Sequence, residues 1–343
     1  MRYQRLGRTG LYVSEICLGT MTYGGKGFWE VIGKLGVDAV ADQLRTALDA
    51  GVNFLDTANV YHEGESERLV AAGVAKLGLR RDEFIIATKV HGRVGKGAND
   101  VGQSRRHILS AIDDSLKRLA TDHVDLYQIH GYDPATPLEE TVRALEDVVR
   151  AGKARYVGFC NLPAWVAMKM LAIADRNNTA RFVSAQMFYA IAARDIEREI
   201  VPLAQAEGLG ILPWSPLAGG LLSGKFTADG GPKDARRAQF DFPIVDKPRA
   251  FRCVDAMRPI ASAHGVSVAQ VALAYLLHKP GVTSVIIGAK TADQLADNLA
   301  ATKLKLTAED MAALDEVSAL PPEYPGWMTQ FQTRDRWIDG AVK

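Results

Sequence analysis

Four residues carry the chemistry that this sequence offers: Asp56, Tyr61, Lys89 and His130. Three of them close short runs of strand type. Asp56 ends Asn53-Phe54-Leu55-Asp56, Lys89 ends Phe84-Ile85-Ile86-Ala87-Thr88-Lys89, and His130 ends Leu126-Tyr127-Gln128-Ile129-His130. Tyr61 follows Asp56 by five residues. A free phenol, with a pKa of about 10, is a weak acid at neutral pH. A lysine cation beside it favours the phenolate, and a carboxylate beside the lysine keeps that cation charged and placed. Tyr61 is thereby expected to acquire a lowered pKa and to give a proton to an oxygen that gains negative charge, as a carbonyl oxygen does on hydride attack. His130 would orient the same oxygen by a hydrogen bond. Singly, each residue has an ordinary structural use, as cap, ion-pair partner, packing ring or core histidine. The reading rests on the four together. One histidine and one carboxylate at the strand ends suit a metal-dependent hydrolase poorly.

These side chains need a scaffold that brings strand ends to one place. Eight strand-type runs occur, at 16–18, 53–56, 84–89, 124–130, 154–160, 183–187, 210–213 and 284–287, after an N-terminal hairpin over 3–13. Helical patterns alternate with them at 38–50, 66–77, 104–119, 138–151, 164–177, 196–207, 267–277 and 292–300. Val40, Leu44, Ala47 and Leu48 recur at the helical period, as do Ile108, Ile112, Leu116 and Leu119. Gly51, Gly152 and Gly208 stand where left-handed helix caps are wanted. Eight β-α units without a long polar linker predict an α/β protein, a closed (β/α)8 TIM barrel in one domain over residues 1–343. Two extra helices, at 251–264 and 307–318, fall outside the eightfold count. Active sites of such barrels lie at the C-terminal face of the strands, where three long stretches (20–37, 90–103 and 214–250) also fall. A doubly wound sheet is the alternative, but no G-x-G-x-x-G follows the first strand. Gly219, Gly224 and Lys225 match an ATP-binding loop up to Phe226, which replaces the required hydroxyl residue.

Composition narrows the partners. The 343 residues include 41 basic and 40 acidic side chains, a net charge of +1, and 48% are hydrophobic. This is neither a disordered chain nor the basic signature of a nucleic-acid binder. The longest apolar runs are well short of the ~18 residues of a membrane span. No secretory signal is read at the start, and three cysteines make no disulfide scaffold, so a cytoplasmic, reducing setting is expected.

The motifs resemble those of the aldo-keto reductase superfamily. The first is Asn53-Phe54-Leu55-Asp56-Thr57-Ala58-Asn59-Val60-Tyr61 with Gly64-Glu65-Ser66-Glu67. Ala87-Thr88-Lys89, Asp125 to His130 and Val157-Gly158-Phe159-Cys160-Asn161 follow in order. Gln186, Trp214-Ser215-Pro216-Leu217 and Ile287-Gly288-Ala289-Lys290 with Gln294 and Asn298 continue it. The chain looks most like the bacterial branch related to the potassium-channel β subunits. The resemblance implies reduction of aldehydes and ketones to alcohols, reversibly, by hydride transfer, with Asp56, Tyr61, Lys89 and His130 as tetrad and Tyr61 as acid. It also implies NADP(H) bound extended at the barrel mouth. Asn161 and Gln186 would hold the nicotinamide carboxamide, and Trp214 would stack on the ring, with Thr20 and Met21 nearby. Ser215, Leu217, Ser223 and Lys225 would carry the pyrophosphate, with Arg236 closing over it. Lys290 and Gln294 would face the 2′-phosphate and Asn298 the adenine. Asp56, Cys160, Pro216, Gly219, Ile287, Gly288 and Asp297 complete the implied cofactor contacts. Cys160 stands where the family often has serine, and many relatives carry arginine where this chain has Lys290 or Gln294, so NADH remains open. No metal is expected. A nucleotide-sensing subunit with little turnover is the alternative.

The substrate pocket is expected from loop aromatics and one histidine: Tyr23, Phe28, Trp29, His91 and Tyr132. Trp327 and Phe331 belong to a C-terminal tail, 318–343, that in relatives often lies over the pocket. Such a lining suits an apolar or cyclic carbonyl compound. Five glycines in 20–37 suit a loop that moves on substrate binding.

Overall fold

A computed structural model describes residues 1–227, 230–233 and 235–334. Strands β1 (Tyr3–Arg5) and β2 (Tyr12–Ser14) pair antiparallel as the expected hairpin. Eight parallel strands follow: β3 (Ile16–Gly19), β4 (Phe54–Asp56), β5 (Ile85–Val90), β6 (Val124–Ile129), β7 (Ala154–Cys160), β8 (Phe182–Phe188), β9 (Gly210–Trp214) and β10 (Val285–Ile287). They run in the order β10-β3-β4-β5-β6-β7-β8-β9. The ring closes beside β10, where Ile211 of β9 bridges Val282 in parallel and accepts a hydrogen bond from the Thr283 N–H. This is the (β/α)8 barrel.

The crossover helices are α1 (Val37–Asp49), α2 (Glu65–Leu77), α3 (Arg105–Leu119), α4 (Leu138–Arg150), α5 (Ala164–Asn177) and α6 (Ile200–Glu207). After β9 come α7 (Arg236–Gln239), α8 (Lys247–His264) and α9 (Val268–Leu277). α10 (Ala292–Ala300), α11 (Ala308–Val317) and α12 (Gly326–Thr333) follow β10. The periodic stripes explain their packing. α3 buries Ile108, Ile112, Leu116 and Leu119, and the Ser104 side chain caps it by accepting from the His107 N–H. α6 starts four residues later than its pattern suggested. Pro202 is tolerated only in a first helical turn, so the preceding residues form a separate 3-10 turn, Asp195–Glu197. α7 and α12 were not expected. No single helix among the described residues is long and apolar enough to cross a membrane.

Alternation along the strands sorts the barrel interior into layers. Cys17, Phe54, Ile85, Ala87, Leu126, Leu212 and Ile286 pack with Leu6 and Val13 of the hairpin region into one apolar cluster. Two residues further along the same strands stand Asp56, Lys89, Gln128 and Trp214. A period of two therefore carries each strand from an apolar plug to a polar position at its C-terminal end.

Candidate active site

Lys89 is fully buried at the end of β5. Its Nζ donates to Asp56 Oδ1, to the Thr57 carbonyl at 2.7 Å and to the Tyr61 hydroxyl at 3.4 Å. The other oxygen of Asp56 accepts from Gln186 Nε2 at 2.8 Å and Gln128 Nε2 at 3.2 Å. A buried ion pair is tolerable only when its remaining polar atoms are satisfied, and here both amides and the Thr57 carbonyl do that. Gln128 was not singled out from sequence. Its place two residues after Leu126 and two before His130, on one face of β6, was the available signal. The His130 ring stands edge-on against Tyr61, centroids 5.8 Å apart.

The electrostatics differ from the sequence expectation at one point. Tyr61 is pushed above, not below, the ordinary phenol pKa. Burial outweighs Lys89, which pulls it down, and Asp56 adds to the rise. Lys89 is held charged: burial opposes its cation, but Asp56 and Tyr61 outweigh that. His130 is kept neutral, well below the usual imidazole value, by burial and then by the Lys89 charge. The site thus combines a protonated phenol, an ammonium and a neutral imidazole. Cys160 is buried beside Gln128, and burial raises its thiol pKa, so it is an inert packing group in this state.

Residues expected at the cofactor follow β3 and the ends of β7, β8, β9 and β10, on to α10. Asn161, in left-handed backbone, donates from Nδ2 to the His130 carbonyl at 3.0 Å and accepts from Trp214 Nε1 at 2.9 Å. Trp214 packs with Phe188 and stacks with Phe242 at 5.9 Å. Gln186 is spent on Asp56 and Gln128 rather than left free to solvent. Thr20 is buried and bonded to Ser66, while the Met21 carbonyl accepts from His62. After Trp214 the chain turns through left-handed backbone at Ser215, Ala218, Gly219, Gly220 and Gly224. Ser215 Oγ accepts from the Gly219 N–H and Ser223 Oγ donates to the Gly220 carbonyl. Pro216 and Leu217 lie in that turn, and Lys225 is exposed after it. Across the mouth, beyond Ile287 and Gly288, the Lys290 N–H donates to Gln294 Oε1 and its Nζ to the Val31 carbonyl. Asn298 is buried in α10. Asp297 accepts from Ser267 Oγ and Gln270 Nε2, which ties α10 to α9 and leaves its carboxylate to a structural task.

Arg236 tests whether this surface fits an anionic cofactor. Its Nε is buried with no hydrogen-bond partner among the described residues. Its guanidinium lies over the Phe240 ring, 6.0 Å from the centroid. Burial and the like charge of Arg237 pull its pKa down to about 10, against an opposing pull from Tyr61. No carboxylate among the described residues pairs with this partly buried cation, a setting that is costly alone and fits a polyanion. A nicotinamide dinucleotide, with its phosphates, matches that requirement.

The expected pocket residues divide. Trp29 stands 5.5 Å from Tyr61, ring to ring, and Phe28 meets both Trp29 and Phe240 edge-on. His91 accompanies Gln103, and Tyr132 packs against Trp165. Tyr23 is wholly buried, with its hydroxyl unpartnered, so it supports the loop from beneath and is no pocket wall. Trp327 is 46% exposed and its ring meets Tyr324. The tail is anchored on the loop after β8. Arg194 bonds Ser318, and Arg198 pairs with Glu323 and donates to the Pro321 carbonyl, both from the segment that follows β8. Phe331 is exposed in α12, and residues 335–343 of the expected tail lie outside the described residues. Phe240 and Phe242, which sequence reasoning passed over, join Phe28 and Trp214 respectively.

Comparison with known proteins agrees with this geometry. The aldo/keto reductase family model matches residues 15–319. An uncharacterized oxidoreductase, YrpG, of Bacillus subtilis is 36% identical over 340 residues, 95% of this chain and the whole of that protein. A putative aryl-alcohol dehydrogenase, C977.14c, of Schizosaccharomyces pombe is 35% identical over 92% of this chain and 95% of its own length. A probable voltage-gated potassium channel subunit beta of Oryza sativa subsp. japonica is 37% identical, over 94% of each chain. With a matching barrel, strand-end cluster and family model over nearly its whole length, the chain belongs to the aldo/keto reductase family.

Proposed function

We propose that the protein is an NADP(H)-dependent oxidoreductase that reduces aldehydes and ketones to alcohols, reversibly. The observation that carries this reading is the buried Lys89–Asp56 pair directed at the Tyr61 hydroxyl at the barrel mouth. When bound, the reduced nicotinamide supplies a hydride. Tyr61 gives its proton to the carbonyl oxygen as that oxygen gains charge. Lys89 stabilises the phenolate left behind, and Asp56, held by Gln128 and Gln186, keeps Lys89 in place. The neutral His130 offers a ring N–H to the same oxygen. Trp214 and Asn161 would hold the nicotinamide end. The Ser215–Ser223 turn, Lys225 and Arg236 would hold the pyrophosphate, and Lys290, Gln294 and Asn298 the adenosine phosphate end. Trp29, Phe28 and Phe240 favour a flat aromatic carbonyl, which accords with a relative named as a putative aryl-alcohol dehydrogenase. A cytoplasmic setting goes with this reading.

The test is NADPH oxidation with a panel of activated aromatic aldehydes, followed by absorbance. Tyr61→Phe is expected to lower turnover by at least ~100-fold while the NADPH dissociation constant stays within about twofold. Near-wild-type turnover in that variant would remove Tyr61 from its role. The likeness to a probable channel subunit favours a second reading, a nucleotide-binding regulator. Tight NADPH binding with no turnover across the panel would support it.

A further inference from the structure

His62, directly after Tyr61, belongs to none of the roles above. Its backbone is left-handed, with φ 49°, and its ring is fully buried. Nδ1 accepts from the Gly25 N–H at 2.9 Å and stands 3.4 Å from the Lys26 nitrogen. Nε2 faces the Met21 carbonyl at 2.9 Å. A backbone N–H only donates and a carbonyl only accepts, so one neutral tautomer fits: proton on Nε2, lone pair on Nδ1. Burial favours the same neutral form, lowering the imidazole pKa. The loop also lies directly on the ring. A Cβ added at Gly24 would meet His62 Cγ at 2.4 Å, which explains the glycine at a φ of 134°. Trp29 packs on the imidazole at 5.7 Å and on Tyr61 at 5.5 Å.

We propose that His62 is a positioning residue for substrate selection: it clamps residues 21–26 so that Trp29 and Phe28 stand as a fixed aromatic wall beside the Tyr61 hydroxyl. The Nδ1 and Nε2 bonds hold the loop from both sides of the ring, and Trp29 transmits that position to the site. The substrates selected are flat aromatic carbonyl compounds. The kinetic consequence rests on the reductase reading; the clamp itself does not.

Two variants separate the contributions. His62→Phe keeps a ring but removes both hydrogen bonds. His62→Asn can place Oδ1 where Nδ1 stood, and asparagine accepts left-handed backbone. With NADPH, His62→Phe should raise KM for 4-nitrobenzaldehyde about tenfold, with kcat changed less than about threefold and KM for propionaldehyde less than about twofold. His62→Asn should restore most of the aromatic KM. In the protein without nucleotide, tryptic cleavage after Lys26 and Lys34 should be about tenfold faster in His62→Phe and near wild type in His62→Asn. Unchanged cleavage, or an equal KM rise for both aldehydes, overturns the proposal. If wild-type protein turns over neither aldehyde, the reductase reading fails and the cleavage arm alone decides the clamp.

Discussion

Replacing Lys89 by methionine tests the central pair most directly. The variant keeps the length of the stem but removes the ammonium, and Asp56 remains buried with one oxygen stripped of its partner. Two charges about 3 Å apart at an effective dielectric of ~20 attract by roughly 5 kcal/mol. Breaking a buried pair from one side costs about 3–5 kcal/mol. Gln128 and Gln186 still donate to Asp56, so the lower end applies, about 3 kcal/mol. In a chain of this length each kcal/mol moves the melting temperature by about 1.4 °C, which gives a fall of about 4 °C. Circular dichroism melts read this directly. The double variant Asp56→Asn/Lys89→Met leaves no buried charge and should melt above Lys89→Met alone. A Lys89→Met protein that melts with wild type, or a double variant that loses the sum of the two single losses, refutes the account of a coupled, desolvated pair.

Three further outcomes follow from the electrostatics and the mouth. Burial raises the Tyr61 pKa, so reduction at saturating NADPH should hold level from neutrality to past about pH 10, while alcohol oxidation climbs; a reduction rate already halved at mild alkalinity removes the assigned acid. His130 has a folded-state pKa below its unfolded value of about 6.5, so the unfolded chain takes the proton first and stability falls as pH drops through that value. His130→Gln should therefore show a shallower loss of melting temperature between about pH 7 and pH 5, and equal slopes would sink the assignment. Lys290→Ala should weaken NADPH binding about tenfold and NADH binding less than about threefold by titration; an equal loss places that lysine away from the 2′-phosphate.

The barrel was legible because its signals are local. Strand runs, helical stripes such as Ile108–Ile112–Leu116–Leu119 and capping glycines lie within single elements. The placement of Asp56 and Lys89 was legible too, since period two at a strand end fixes the face. What escaped depends on contacts between distant segments. Gln128 is defined by Asp56, 72 residues away, and Gln186 by the same carboxylate at 130 residues. The direction of the Tyr61 shift escaped for a similar reason: it is a contest between burial and charge, and burial is set by the whole fold. Tyr23 misled because an aromatic residue in a loop signals packing and binding alike, and only its burial in the loop interior decides.

The upward shift of Tyr61 changes what the lysine is for. If Lys89 lowered the phenol pKa to neutrality, its gain would appear in the ground state, as a phenolate that can no longer donate. Here the phenol stays protonated beside a permanent cation. The Lys89 charge then acts mainly after the proton leaves, on the phenolate formed in the transition state. Interactions that strengthen only there accelerate the step instead of tightening the resting complex. Burial, usually a cost for an ionisable group, is what keeps the donor loaded. Asp56, anchored by two amides, prevents that same burial from discharging the lysine. The acid role proposed for Tyr61 therefore rests on the buried layer above the apolar plug, and any change that admits water below Lys89 should lower turnover before it alters nucleotide binding.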